Sequence, residues 1–235
     1  MKIKPLSVSA VLDKLEGSYG PQEPCWPVDP YAALLWWHCG YPASDATCMR
    51  GWNALNKEVG IQPRQILKAT QEKLASALKP GGMVPELRAM RLQQIAERIE
   101  NEFLGDMRNA FVGRIEDVRK KLKKFPGIAD PGADRLLLFG DIVPVAAVPS
   151  NCPQVLVRIQ LGLERESYSV TYREAQALIE AAIPEQFHPR MRAYLLLKEH
   201  GQTLCKRSKP KCEECPISLH CAYFVGKDRG RSRPK

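Results

Sequence analysis

Four cysteines stand close together near the end of the chain, in the sequence CKRSKPKCEECPISLHC at residues 205–221. They are separated by six, two and five residues, at Cys205, Cys212, Cys215 and Cys221. Thiolates are soft ligands, and four of them can hold a tetrahedral metal ion or an iron–sulfur cluster. A structural zinc site usually has two Cys-x-x-Cys pairs, whereas here only Cys212 and Cys215 have that spacing. The spacing favours a [4Fe–4S] cluster over zinc, and either metal over two disulfides or four unrelated thiols.

The composition is that of a globular protein in a reducing compartment. With 44% hydrophobic residues among 235, the chain can bury a core in one compact unit or in two small domains. The chain has no run of 18 apolar residues, which a membrane span would need. Its first residues, MKIKPLSVSAVLDKL, lack the apolar centre of a signal peptide. We therefore expect a cytoplasmic protein, associated with the nucleoid in a bacterium, with reduced cysteines and no membrane partner.

An excess of basic residues points to a polyanionic partner. The formal net charge is +9, and four basic residues without an acid separate the first two cysteines of the motif. These four are Lys206, Arg207, Lys209 and Lys211. The excess favours binding to nucleic acid, although a solvated basic surface would give the same composition. Residues 226–235 are also basic, and we expect them to form a disordered tail that adds phosphate attraction.

The chain predicts helices throughout, because strand signals are nearly absent. Asp29-Pro30 is a typical helix start, with an N-cap followed by proline at the first helical position. Thr171-x-x-Glu174 matches a capping box and predicts a helix from there through Ala182. The fold class expected from these patterns is all-α.

A second motif, FPGIAD at residues 125–130, joins two predicted helices within about 114–139. It resembles a helix–hairpin–helix, in which a tight turn directs backbone N–H groups outward at the start of the second helix. Such donors, together with the helix dipole, bind a DNA phosphate without reading sequence. Gly127, Ile128 and Ala129 are the candidate phosphate-binding residues. Ala129 stands where the motif has its second glycine.

The cysteine spacing, the hairpin and the segment 34–55 follow one another as in the endonuclease III family, which includes the MutY-type adenine glycosylases. The chain resembles that family over about residues 28–222. The resemblance implies an all-α, two-domain fold, with a six-helix barrel domain at 31–145 and an iron–sulfur cluster domain made of 1–30 and 146–225. It also implies a monomer with a [4Fe–4S] cluster on the four cysteines. Double-stranded DNA, damaged or distorted, would lie in a groove between the domains, where a flipped base loses its glycosidic bond.

The resemblance fails at the residues that carry out catalysis. The family's bifunctional members use a lysine as a Schiff-base nucleophile and an aspartate 18 positions later. Those positions are occupied here by Pro131 and Pro149. No lysine occurs between Phe125 and Leu197, and no acidic residue occurs from Ile142 to Leu163. In the segment 40–45, which resembles the family's DNA-penetrating loop, Pro42 replaces the usual glutamine.

Three interpretations follow, and the catalytic residues are unknown in all of them. The first is a DNA-binding relative without the family's lyase chemistry. The second is an active monofunctional glycosylase whose acid has moved, the candidates being Asp45, Asp130, Asp134 and Asp141. The third is a redox-sensing cluster protein. Histidines are scattered, and His220, beside Cys221, is assigned no ligand role because four cysteines complete a cluster. The remaining cysteines are expected to be buried structural thiols, namely Cys25, Cys39, Cys48 and Cys152.

Overall fold

The structure is a computed structural model that describes residues 6–163 and 165–231, the last five by their backbone alone. All regular structure in these residues is helical, which confirms the predicted fold class. The twelve α-helices are α1 Val8–Tyr19, α2 Pro30–His38, α3 Asp45–Glu58, α4 Pro63–Lys68, α5 Gln71–Leu78, α6 Pro85–Phe103, α7 Ile115–Leu122, α8 Asp130–Phe139, α9 Gln154–Leu161, α10 Tyr168–Ala182, α11 Phe187–Thr203 and α12 Ala222–Arg231. Of the helices described, none has the length and apolar character needed to cross a membrane.

The chain divides into two compact units, one formed by Pro24–Ile142 and the other by Met1–Glu23 together with Val143–Lys235. The boundaries between the units lie after residues 23 and 142, whereas the sequence predicts domain boundaries after residues 30 and 145. The difference at the first boundary arises at Trp26, which is buried and whose ring lies 5.2 Å from that of Phe139 in α8. That contact places the connector before α2 in the same unit as α8.

The unit Pro24–Ile142 contains α2 to α8. Its central helix, α2, is buried on nearly every face and packs against α3, α6 and α8. The start of α2 is fixed as predicted, because the Asp29 side chain accepts from the N–H of Ala32 at 2.8 Å. The guanidinium of Arg135 in α8 lies 3.7 Å from the ring centre of Trp37. The second helix of the predicted hairpin is therefore attached to the buried centre of this unit.

The other unit contains α1 and α9 to α12. Helix α9 packs against α10, α11 and α12, and α1 packs against α10 and α11. The apolar faces of these helices form one hydrophobic core, which also includes Ile217 and Cys221 from the cysteine motif. The end of the motif is therefore anchored in a core to which both neighbouring helices and the distant helix α1 contribute.

Three local predictions differ from the structure. Helix α10 begins at Tyr168, and the Thr171 hydroxyl donates back to the Ser167 carbonyl at 3.2 Å instead of capping the helix. Cys25 is exposed, whereas Cys39, Cys48 and Cys152 are buried as expected; Cys25 lies in the connector before α2, outside any helix. Residues 226–231 continue α12, because Tyr223 and Phe224 pack its first turn onto the core. Helical backbone thus covers 226–231 of the predicted tail, and 232–235 lie outside the described residues.

Gly201 allows α11 to pass close to Cys152. A Cβ atom at position 201 would lie 2.4 Å from the Cys152 Cβ, whereas a Cβ at Gly17 in α1 would meet nothing within 4 Å. We expect Gly201→Ala to lower the unfolding free energy by about 1–3 kcal/mol, as overpacking does. Gly17→Ala, the matched control in a helix of the same unit, should raise it by about 0.5–1 kcal/mol. Urea unfolding of both variants measures this difference, and stabilisation by both substitutions would contradict the close approach.

Candidate metal centre and DNA-binding hairpin

The four motif cysteines lie around one pocket. They and Arg158, His200 and Tyr223 line a partly open cavity with about 340 Å³ of empty space, open solvent included. The segment turns through two short 3-10 helices, Cys212–Glu214 and Ser218–His220, which bring Cys215 and Cys221 back towards α9 and α11. The structure thus brings together all four residues that the sequence predicts as ligands.

The shared pocket does not by itself form a ready site for one ion. Within the described ranges, no group of three or more His, Cys, Asp or Glu side chains is placed to hold one metal ion. Sulfurs around one zinc ion stand about 3.8 Å apart, because each Zn–S bond is about 2.3 Å long and the geometry is tetrahedral. In a [4Fe–4S] cluster each cysteine binds its own iron, so the sulfurs stand farther apart. The soft donor set and the shared pocket fit a cluster.

Burial favours the neutral thiol at Cys205, Cys215 and Cys221. It raises the pKa of Cys215 to about 11, and it raises the pKa of Cys205 and of Cys221 above the ordinary value. At Cys205 the Arg158 guanidinium opposes this effect, because its Nη1 lies 3.8 Å from the sulfur. A bound metal would supply the charge that removes the remaining protons.

Arg158 in α9 holds the basic segment between the first two cysteines. Its Nη1 donates to the Lys206 carbonyl at 3.0 Å, and its Nη2 donates to the Arg207 carbonyl at 2.8 Å. The guanidinium also lies 5.0 Å from the ring centre of Tyr223. These contacts fix the backbone of the segment, while the side chains of Lys206, Arg207, Lys209 and Lys211 are exposed to solvent. Arg158 was not predicted from the sequence, although an arginine inside the apolar run of α9 is a usable signal.

His200 is a second residue that sequence reasoning missed. It lies in α11, and its Nε2 is 3.7 Å from the Cys215 sulfur. Its backbone carbonyl accepts from the N–H of Cys205 at 2.8 Å. The side chain is buried, and burial lowers the pKa of His200 to about 4, so the imidazole is neutral near pH 7. His200 therefore contacts the motif through its backbone at Cys205 and through its ring at Cys215.

The predicted hairpin is present between α7 and α8. Gly127 has a φ of 70°, a conformation that glycine adopts at little cost, and the Phe125 side chain is buried beneath the turn. A ring nitrogen of His38 lies 2.8 Å from the Pro126 carbonyl, which ties the turn to α2. Burial lowers the pKa of His38, against the opposing effect of the carbonyls of Leu34 and Pro126.

The hairpin offers fewer free donors than the sequence suggests. The N–H of Ile128 donates to the Phe125 carbonyl at 3.2 Å within the turn, and the Ile128 side chain is buried. Ile128 therefore does not supply the donor expected of it. Among the hydrogen bonds of the described residues, the N–H groups of Gly127 and Ala129 have no acceptor. Pro131, in the first turn of α8, removes a further donor because proline has no N–H.

Asp130 and Asp134, among the four candidate acids, form ion pairs. The Asp130 carboxylate lies 2.7 Å from Lys123 Nζ, and the buried Asp134 carboxylate lies 2.7 Å from Arg119 Nη2. Asp45 occupies the first turn of α3, just after the Tyr41–Pro42 cis peptide bond. Asp141 follows α8 and is exposed. Pro131 and Pro149, at the positions where the resemblance puts the lysine and the aspartate, are both buried.

Known proteins resemble this chain both in sequence and in fold, although no protein-family model matches it. Endonuclease III from Thermotoga maritima is 28% identical over 176 residues, which are 75% of each chain. Thymine-DNA glycosylase from Aeropyrum pernix is 23% identical over 162 residues, which are 69% of each chain. A solved structure of a trapped endonuclease III–DNA covalent intermediate superposes with a TM-score of 0.74 at 18% identity, covering 95% of this chain and 100% of that one. With its helix order, hairpin and cysteine motif, the chain belongs to the helix–hairpin–helix DNA glycosylase superfamily of endonuclease III.

Proposed function

We propose that this chain binds damaged or distorted double-stranded DNA as an iron–sulfur protein of the base-excision repair type, without Schiff-base lyase chemistry. The residue at the start of α8 is the observation that supports the absence of Schiff-base lyase chemistry. Pro131 is buried there, and its nitrogen is part of the peptide backbone. A Schiff base with a sugar aldehyde needs a primary amine, which proline does not have. The absence of lysine between Phe125 and Leu197 leaves no nearby substitute in that stretch of sequence.

Two separate surfaces support DNA binding. The hairpin presents the N–H groups of Gly127 and Ala129, which suit a phosphate oxygen. The segment between Cys205 and Cys212 presents exposed basic side chains on a backbone fixed by Arg158. Contacts of both kinds position a protein on a duplex without reading its sequence. These contacts suit DNA that is recognised by its shape or damage rather than by its base sequence.

The cofactor proposed is a [4Fe–4S] cluster held by Cys205, Cys212, Cys215 and Cys221. When bound, it supplies a rigid cross-link between four points of the motif. The chain's own residues prepare the site: α9 and α11 form its walls, and Ile217 seals the motif onto the core. Arg158 Nη1 donates towards the Cys205 sulfur, and a ring nitrogen of His200 lies 3.7 Å from the Cys215 sulfur.

A second candidate function is a monofunctional glycosylase that activates water in place of a lysine. It is supported by the relatives' own names, which include thymine-DNA glycosylase and, for a relative from Methanothermobacter thermautotrophicus, thymine/uracil-DNA glycosylase. Asp130 and Asp134 are engaged with Lys123 and Arg119. Asp45, in the first turn of α3, and Asp141, after α8, are the other two carboxylates to substitute in a test of this activity.

The deciding experiment uses end-labelled duplexes that contain no damage, an abasic site, an oxidised pyrimidine, uracil, or adenine opposite 8-oxoguanine. Each duplex is scored for binding, for base release and for covalent trapping by borohydride. We expect tighter binding to a damaged duplex, no borohydride-trapped complex and no strand cleavage. A trapped complex would contradict the absence of Schiff-base chemistry. Base release without trapping would support the monofunctional glycosylase, and loss of that release in Asp45→Asn or Asp141→Asn would identify the acid.

A further inference from the structure

A chain of three side chains leads from α1 to the sulfur of Cys215. The Tyr19 hydroxyl oxygen lies 2.8 Å from His200 Nδ1, and His200 Nε2 lies 3.7 Å from the Cys215 sulfur. The Thr203 hydroxyl donates to the Glu199 carbonyl at 2.7 Å, and its oxygen lies 3.3 Å from the Tyr19 hydroxyl oxygen. The polar atoms form a continuous path at the edge of the hydrophobic core.

The direction of the hydrogen bonds in this chain follows from the donors available. The single hydroxyl hydrogen of Tyr19 can be donated to His200 Nδ1 at 2.8 Å or to Thr203 Oγ1 at 3.3 Å, and the shorter contact favours Nδ1. Nδ1 is then an acceptor, and a neutral imidazole with an acceptor at Nδ1 carries its hydrogen on Nε2. That N–H is directed at the Cys215 sulfur.

Whether Cys215 is a thiol or a thiolate decides whether donation from His200 Nε2 to its sulfur is favoured. A thiolate accepts hydrogen bonds and donates none, so an Nε2 lone pair facing it would be repulsive. A protonated thiol could instead donate to Nε2, with His200 donating from Nδ1 to Tyr19. Binding of a metal to Cys215 therefore selects the arrangement in which Tyr19 donates to His200 and His200 donates to sulfur.

We propose that His200 is a positioning residue for a metal-bound Cys215, donating a hydrogen bond from Nε2–H to the sulfur in a tautomer that Tyr19 fixes. This inference rests on the proposed iron–sulfur cofactor and goes beyond it by assigning two residues outside the cysteine motif. A hydrogen bond to a ligating sulfur withdraws electron density from it, which raises the reduction potential of the cluster. Partners of this kind also hold a ligand in place and slow loss of the metal.

The test compares purified holo-proteins by iron content, by reduction potential and by the rate of iron transfer to a chelator. His200→Leu removes the donor, His200→Gln keeps an amide N–H near the position of Nε2, and Tyr19→Phe removes only the hydroxyl. The matched control is His188→Leu, which changes an exposed histidine of the same helix. We expect His200→Leu to lower the potential and to release iron about tenfold faster, the lower end of such effects.

The other variants separate hydrogen bonding from packing. His200→Gln should recover most of the wild-type potential, Tyr19→Phe should fall between wild type and His200→Leu, and His188→Leu should match wild type. Wild-type behaviour of His200→Leu, or a Gln variant no better than the Leu variant, would overturn the role of the donor. If His200→Leu fails to fold, an unchanged potential in Tyr19→Phe would overturn it. Colourless wild-type protein without iron would instead overturn the proposed cofactor, which the iron assay detects separately.

Discussion

Replacing Cys215 with serine is expected to abolish cluster assembly. Wild-type protein should be yellow-brown and hold roughly four irons, whereas Cys215→Ser should lose most of the visible absorption and most of the iron. A serine oxygen is a harder and shorter ligand than a thiolate, so it suits the soft iron–sulfur site poorly. Because metal binding contributes directly to folding free energy, the unit that contains Ile217 and Cys221 should also unfold at a lower temperature.

The measurements for this prediction are iron per protein, the visible spectrum and the midpoint of thermal unfolding. Cys25→Ser is the matched control, since Cys25 is exposed and lies in the other unit. It should behave like wild type in all three measurements. Full iron content in Cys215→Ser, or a colourless wild-type protein with one zinc ion, would show that the motif does not hold this cluster.

Reversing three charges between the first two cysteines is expected to weaken DNA binding strongly. The triple variant changes Lys206, Arg207 and Lys209 to glutamate and leaves Lys211, whose Nζ lies 3.3 Å from a Glu214 oxygen. Each phosphate contact contributes about 0.9 to the slope of log affinity against log salt, so three contacts contribute about 2.7. If the two proteins bind equally at 1 M salt, this slope predicts roughly 500-fold weaker binding at 0.1 M.

The control for this experiment must carry the same charge change elsewhere. Reversing Lys14, Lys57 and Arg173, all exposed and all outside the motif, gives the same net charge, since three reversals change +9 to +3. A local contact predicts that only the motif variant loses salt dependence. Equal losses of salt dependence in both triple variants would mean that DNA affinity depends on the overall charge of the protein. An unchanged slope in the motif variant would show that this segment does not contact DNA.

The sequence alone determined the helices and the grouping of the cysteines. Asp29 and Thr70 cap α2 and α5 through contacts to residues three positions along the chain, and proline or glycine marks several helix ends. Such interactions span only a few residues, so they can be recognised from local sequence. The spacing of Cys205, Cys212, Cys215 and Cys221 was informative for the same reason, because a short segment has few ways to place its own side chains. Thr171 shows the limit, since a capping pattern also occurs inside a helix.

Only the tertiary structure decided which other residues surround these motifs. Tyr19 and His200 are 181 residues apart, and Arg158 is 47 residues before Cys205. Their contacts depend on how α1, α9 and α11 pack together, which is set by the sum of many apolar contacts rather than by any local pattern. The hairpin shows the same division. Its position was evident from Pro126-Gly127, but the donation from Ile128 to Phe125 and the pairing of Asp130 with Lys123 depend on the conformation of the folded turn.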